Sequence, residues 1–136
     1  MAMALYRHIG GEQGLKVKSL SAGYHDWDPF PREAHAFARR AVEQLCGSDI
    51  LENHRAAHWT PEMVRSADCV VVAEEWMKVD FPQSKVMTMR ELAGRTGDVE
   101  DPYGGDYQVY VDCAKEIQGL LLAGWALLTS AGEDWR

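Results

Sequence analysis

Asp101-Pro102-Tyr103-Gly104-Gly105 is the segment whose residue types and order best suit proton transfer. Proline restricts the backbone after the aspartate, and the glycines let the chain turn tightly into the next element. A loop aspartate beside an aromatic can act as a general acid to a leaving group. The same residues also make an ordinary turn leading into a helix, where Asp and Pro are common. His54 and His58 stand four apart, a spacing that would let two imidazoles share a helical face and a metal. No third ligand follows at a useful distance, so structural or solvent-facing histidines are the simpler reading. Asp98, Glu100, Asp101 and Asp106 lack the calcium-loop pattern and read as a solvated acidic loop. No metal and no cofactor is expected.

A covalent phosphatase loop would need a nucleophilic cysteine with an arginine six residues later, so that thiolate, backbone amides and guanidinium surround one phosphate. None of the nine arginines has a cysteine in that place. Cys69 is expected within a strand and Cys113 on a helix stripe, both as buried apolar residues. Nucleotide-binding glycine patterns are absent as well.

The elements that must position Asp101 follow from hydrophobic spacing. Residues 1–9 have a helical pattern that Gly10 and Gly11 are expected to stop. Lys16 to Ser21 alternates as a short strand, and Tyr24 to Pro31 is a loop. Arg32 to Leu45 reads as a helix closed by Cys46-Gly47. Thr60-Pro61 opens another, with Thr as N-cap and Pro in the first turn. Cys69-Val70-Val71-Val72 suits a strand buried on both faces. A short helix over Glu74–Val79, a strand over Lys85–Thr88 and a polar loop over Glu91–Glu100 come next. Asp106–Leu128 is predicted as one long helix, with Tyr107, Tyr110, Val111, Ala114, Ile117, Leu120 and Leu121 as its stripe. Strands alternating with helices predict an α/β fold with a parallel sheet. Ligands in such folds sit beyond the carboxyl ends of the strands, which here means after Ser21 and after Val72.

The 136 residues fit a single domain, and 46% hydrophobic content is enough for a core without disulfides. A net charge of −7 disfavours nucleic acid and anionic membrane surfaces as partners. Three cysteines without a C-x-x-C pair imply a reduced, cytoplasmic protein. No leader is expected, and the longest apolar run is too short to span a bilayer.

Read in order, Met1-Ala2-x-Ala4-Leu5, Ser21-Ala22-Gly23, Gly47-Ser48-Asp49-Ile50, His54-Arg55-Ala56, Ala67-Asp68-Cys69-Val70-Val71-Val72 and Asp101-Pro102-Tyr103-Gly104 resemble the low-molecular-weight protein tyrosine phosphatases. The resemblance covers nearly the whole chain, and its specificity lies in the ordered set rather than in any one motif. Asp101 to Gly105 is also similar to the bacterial protein arginine phosphatases, which often carry an aromatic and two glycines there. The resemblance implies a three-layer sandwich around a parallel sheet, a phosphoprotein substrate and a cysteinyl-phosphate intermediate. It makes Asp101 the general acid, Trp27 and Tyr103 the two lips of the substrate cleft, and Ser21 and His54 supports that orient the phosphate loop.

The sequence departs from the family where the chemistry starts. In the family, a central strand and a Cys-x5-Arg loop lead into Ser-Pro-Met-Ala, and these residues open at that Met-Ala. The expectation is a single domain, residues 1–136, lacking its central first strand and inactive as numbered. A buried strand with two or three large apolar side chains contributes roughly 5–8 kcal/mol at ~1.5–3 kcal/mol each. That rivals the ~5–15 kcal/mol stability of a whole domain. Its neighbours near Lys16–Ser21 and Cys69–Ala73 would then close on each other or pair with a second copy, giving a homo-oligomer through exposed sheet edges. Three functional readings follow: a phosphatase chain shortened at its start, a natural pseudophosphatase that binds a partner or phosphorylated ligand, and an unrelated α/β binding domain.

Overall fold

A computed structural model describes residues 1–14, 19–24 and 32–134. Its elements run in the order α1 Ala2–Glu12, β1 Arg32–Glu33, α2 Ala36–Cys46, β2 Arg55–Ala56, α3 Pro61–Ser66, β3 Val70–Val72, a 3-10 helix Glu75–Asp80, β4 Val86–Thr88, a 3-10 turn Glu91–Ala93, α4 Tyr107–Ala123 and α5 Trp125–Asp134. They fall into two compact units. One comprises Met1–Trp59 with Pro102–Gln118, the other Thr60–Asp101 with Gly119–Arg136.

In the first unit α1 packs on α2. Ala4, Val42 and Leu51 form its fully buried cluster, lined by Met1, Ala34, Ala38 and Cys46. α1 does not stop at Gly10; it runs through both glycines, and Gly10 is buried. The stop is at Gln13-Gly14, where Gly14 takes φ +71°, the left-handed conformation that ends helices cheaply only for glycine. α2 also departs from expectation, beginning at Ala36 rather than Arg32. Arg32 and Glu33 are instead drawn into an antiparallel pair opposite Ala56 and Arg55, and the Arg55 guanidinium lies 3.3 Å from the Glu33 carboxylate. The C-cap glycine is where the sequence puts it: Gly47 has φ +82°, and its N–H donates to Glu43 O at 2.8 Å. Arg39 then reaches Asp49 with Nε and Nη2 at 3.3 and 2.5 Å, tying α2 to the chain that leaves it. On α4, Tyr110, Val111, Ala114 and Ile117 are buried in the predicted stripe, while Tyr107 is half-exposed.

In the second unit β3 and β4 pair in parallel, Val70 opposite Val86 and Val72 opposite Thr88. β3 is one residue shorter than the expected Cys69–Val72 run. Only Val72 is buried, and Cys69 precedes the ladder rather than lying within it, so burial on both faces is not realised. Thr60 Oγ1 accepts from Met63 N at 3.2 Å, with Pro61 in the first turn, as predicted. Lys85 Nζ donates to Val64 O and Ala67 O at 3.1 and 3.0 Å, satisfying carbonyls at the end of α3. Within the expected polar loop, Leu92 and Val99 are buried. The long predicted helix is two, α4 and α5, jointed at Gly124. A Cβ there would lie 2.6 Å from both Cβ and O of Leu92, so the close approach of this backbone to the 3-10 turn requires glycine. Among the described residues no helix is long and apolar enough to cross a membrane.

Candidate functional site

The loop that carries Asp101 is fastened to the C-terminal end of β3. Val99 N donates to Ala73 O at 2.9 Å, and Asp98 Oδ1 accepts from Glu75 N at 2.7 Å. Val99 is buried, so an apolar side chain and two hydrogen bonds hold the segment two residues before an exposed aspartate. Thr88 at the end of β4 is braced in a similar way. Its fully buried Oγ1 accepts from Glu91 N at 3.1 Å while Glu91 Oε1 accepts from Thr88 N at 2.8 Å, a reciprocal capping box spelled Thr-x-x-Glu. Lys78 Nζ closes the bracket at 2.5 Å from Glu91 Oε1. That hydrogen bond, with those from Thr88, holds the Glu91 carboxyl below its ordinary pKa. The segment that leads to Asp101 is thus anchored just past a strand end, the region where α/β folds bind ligands.

After Asp101 the chain turns at Pro102–Gly105. Gly105 N donates to Pro102 O at 2.9 Å, and Gly104 has φ +87°, as the third position of a type II turn requires. Gly105 is also needed for space, since a Cβ there would fall 2.9 Å from Val109 Cβ. Asp106 then caps α4, with Oδ1 accepting from Val109 N at 3.1 Å. Tyr103 stands out from this turn, 75% exposed. Trp27 lies outside the described residues.

Ser21 and His54 are in the first unit, on segments the fold sets side by side. Gly23 and His58 form a parallel bridge; Gly23 N donates to Ala57 O at 2.7 Å and Trp59 N to Gly23 O at 3.1 Å. Ser21 is exposed and lies two residues before the bridge; its neighbours Ser19 and Leu20 are not in a strand, and the rest of the strand expected over Lys16–Ser21 lies outside the described residues. His58 Nε2 donates to Tyr24 O at 3.0 Å. The chain from His54 to His58 is extended rather than helical, so their spacing does not put both rings on one helix face.

His54 is half-buried, and its pKa is lowered, first by burial and then by the positive charges of the chain's amino terminus, Arg7 and Arg55. The unfolded imidazole takes up its proton near the ordinary value of 6.5, the folded one only at lower pH. Between those values the unfolded state holds more protons, so this contribution to stability is full above about pH 6.5 and is lost as the pH falls. Denaturant midpoints are expected to drop from pH 8 to pH 5, and to drop less in His54→Gln. Equal slopes for the two proteins would remove His54 as the cause.

Two thiols are unsuited to nucleophilic attack. Burial, with Asp68 adding to it, pushes the Cys69 thiol up to about 11, and burial together with Glu12 raises Cys46.

Sequence reasoning missed His35. It placed this residue inside a helix, but His35 is the N-cap of α2, its Nδ1 accepting from Phe37 N at 3.1 Å. Histidine is not among the favoured N-cap types, so the sequence carried no signal. The Thr88-Met89-Arg90-Glu91 capping box was missed as well, although its Thr-x-x-Glu spacing carries the signal.

Comparison with known proteins gives this arrangement its context. Residues 1–130 match the low molecular weight phosphotyrosine protein phosphatase family. A protein-arginine-phosphatase of Bacillus subtilis (strain 168) is 33% identical over 128 residues, covering 89% of this chain and 82% of that protein. The crystal structure of the low molecular weight protein tyrosine phosphatase from T. tengcongensis superposes with a TM-score of 0.82 at 30% identity, over 93% of this chain and 88% of that one. A solution structure of a low molecular weight protein tyrosine phosphatase from Bacillus subtilis gives 0.78 at 30% identity, over 99% and 89%.

Proposed function

Because the chain belongs to the low-molecular-weight phosphotyrosine protein phosphatase family, we propose that it carries the proton-transfer part of a phosphatase site for phosphotyrosine or phosphoarginine in proteins. The observation behind this reading is the anchoring of the Asp101 loop, through Val99 and Asp98, to the carboxyl end of β3. In the family reaction a cysteine thiolate attacks phosphorus, forming an S–P bond as the bond to the leaving group breaks. Asp101 would donate its proton to the leaving oxygen or nitrogen, then, as carboxylate, take one from the water that cleaves the cysteinyl phosphate. Tyr103 and Trp27 would flank the incoming side chain, and Ser21 and His54 would support the phosphate-binding loop. Neither a metal nor a cofactor is required by this chemistry.

The 136 residues contain no Cys-x5-Arg, and burial disfavours the thiolate forms of Cys46 and Cys69. The polypeptide of residues 1–136 is therefore expected to hydrolyse p-nitrophenyl phosphate no faster than its Asp101→Ala variant. A clear excess of the unchanged protein over that variant would overturn the reading.

The uninterrupted match over residues 1–130 supports one domain, and three free cysteines support a reduced, cytoplasmic setting. The charge of −7 argues against nucleic acid or an anionic membrane as partner. Among the described residues the β3–β4 pair gains no third strand, which favours a homo-oligomer formed by edge pairing. Light scattering is expected to give at least twice the monomer mass of 15.3 kDa; a monomer at all concentrations would rule this out.

A further inference from the structure

We propose that His35 is a positioning residue for Tyr103, setting the orientation of the aromatic that stands at the substrate lip. The proposal rests on the lip reading of Tyr103 given above. Three contacts hold the imidazole. Its Nδ1 accepts from Phe37 N at 3.1 Å, its ring stacks on Tyr110 with centroids 4.9 Å apart and planes 14° apart, and Phe37 lies tilted at 5.3 Å. Tyr110 is 3% exposed, so the stack is built on a core residue of α4. From this base His35 meets Tyr103 edge to face, with centroids 6.4 Å apart and planes 86° apart. That is the T-shaped arrangement aromatic quadrupoles favour.

The consequence lies in what is fixed and what is exposed. Tyr103 is 75% exposed on a turn whose Gly104 permits φ +87°, so its side chain has the room to take more than one rotamer. The His35 contact favours one of them. A phosphotyrosine ring or a phosphoarginine guanidinium is flat, and a flat group stacks only on a ring that presents its face. Fixing the Tyr103 plane before substrate arrives lowers the ordering cost of binding. The Phe37–Tyr107 contact at 5.8 Å, Arg40 4.2 Å from the Tyr107 ring centroid, and Tyr107 Oη donating to Gln44 Oε1 at 2.8 Å complete the support on α2 and α4.

His35 does two jobs that substitution can separate. His35→Asn keeps an N-cap acceptor and removes the ring. His35→Phe keeps the ring and removes the acceptor. In protein with ring-labelled tyrosine, the Tyr103 signal assigned through Tyr103→Phe, NMR is expected to show the Tyr103 signal shifted in His35→Asn and near its wild-type position in His35→Phe. The denaturant midpoint is expected to do the reverse, falling more in His35→Phe. A Tyr103 signal unmoved by His35→Asn, or moved equally by both substitutions, overturns the proposal. Failure of the lip reading would show elsewhere: Tyr103→Ala would leave unchanged the aryl-phosphate turnover of the chain extended by a Cys-x5-Arg loop.

Discussion

Turnover of an aryl phosphate is expected to appear when residues 1–136 are extended ahead of Met1 by a strand and a Cys-x5-Arg-Ser-Pro loop. Asp101→Ala in that extended protein is then expected to cost about 10²–10⁴-fold in kcat, the range that positioned general acids supply. The thiolate and guanidinium cannot be replaced by the groups present, since burial disfavours ionisation of Cys46 and Cys69 and no cysteine stands six residues before any arginine. The loop that carries Asp101, the proposed acid, is by contrast anchored among the described residues. Val99 is buried and bonded to Ala73 O, and Asp98 holds Glu75 N, so the Asp101 loop has a defined departure from β3. Asp98→Ala should consequently lower kcat in the extended protein, by less than Asp101→Ala, because it loosens the acid without removing it. Steady-state kinetics of the three proteins checks both statements. Equal rates for the extended protein and its Asp101→Ala variant would dismiss Asp101 as the acid.

Two glycines at the end of the chain should respond to the same substitution with opposite signs. Gly124→Ala would put a methyl 2.6 Å from the Leu92 Cβ and carbonyl oxygen. One of those partners is backbone and the other is attached directly to it, so neither can swing away. Overpacking of this kind costs about 1–3 kcal/mol. For a chain of this size that corresponds to a Tm lower by roughly 4–15 °C. Gly119 lies inside α4, and a Cβ at that position would meet nothing within 4 Å. Gly119→Ala is therefore expected to raise stability by about 0.5–1 kcal/mol, the helix-propensity difference alone. Calorimetry on the two variants provides the comparison. A Gly124→Ala protein as stable as the parent would mean that the approach of residue 124 to Leu92 is not maintained in solution.

Much of this protein is readable from residue order. The caps at Thr60-Pro61 and Gly47, the strand at Val70–Val72 and the buried stripe of α4 follow from local rules, because each depends on residues within one turn or one strand. The ordered small motifs from Ala4-Leu5 to Asp101-Pro102-Tyr103 pointed to the family that residues 1–130 match. The lack of a Cys-x5-Arg in these 136 residues is likewise a statement of sequence alone.

Tertiary structure decided the remainder, where a distant segment outweighed local preference. Gly10 and Gly11 read as a stop, yet α1 passes through them, since the penalty of a helical glycine is about 1 kcal/mol and the helix packs on α2. Arg32 and Glu33 fit a helical pattern but pair with Arg55 and Ala56, partners more than twenty positions away. One long helix became two because Leu92 lies against Gly124. Asp101 itself was visible as an acid candidate from its neighbours. That its loop hangs from Ala73 and Glu75, and that Tyr103 meets His35, depends on pairings across 23 to 68 positions, which no local pattern of side chains encodes.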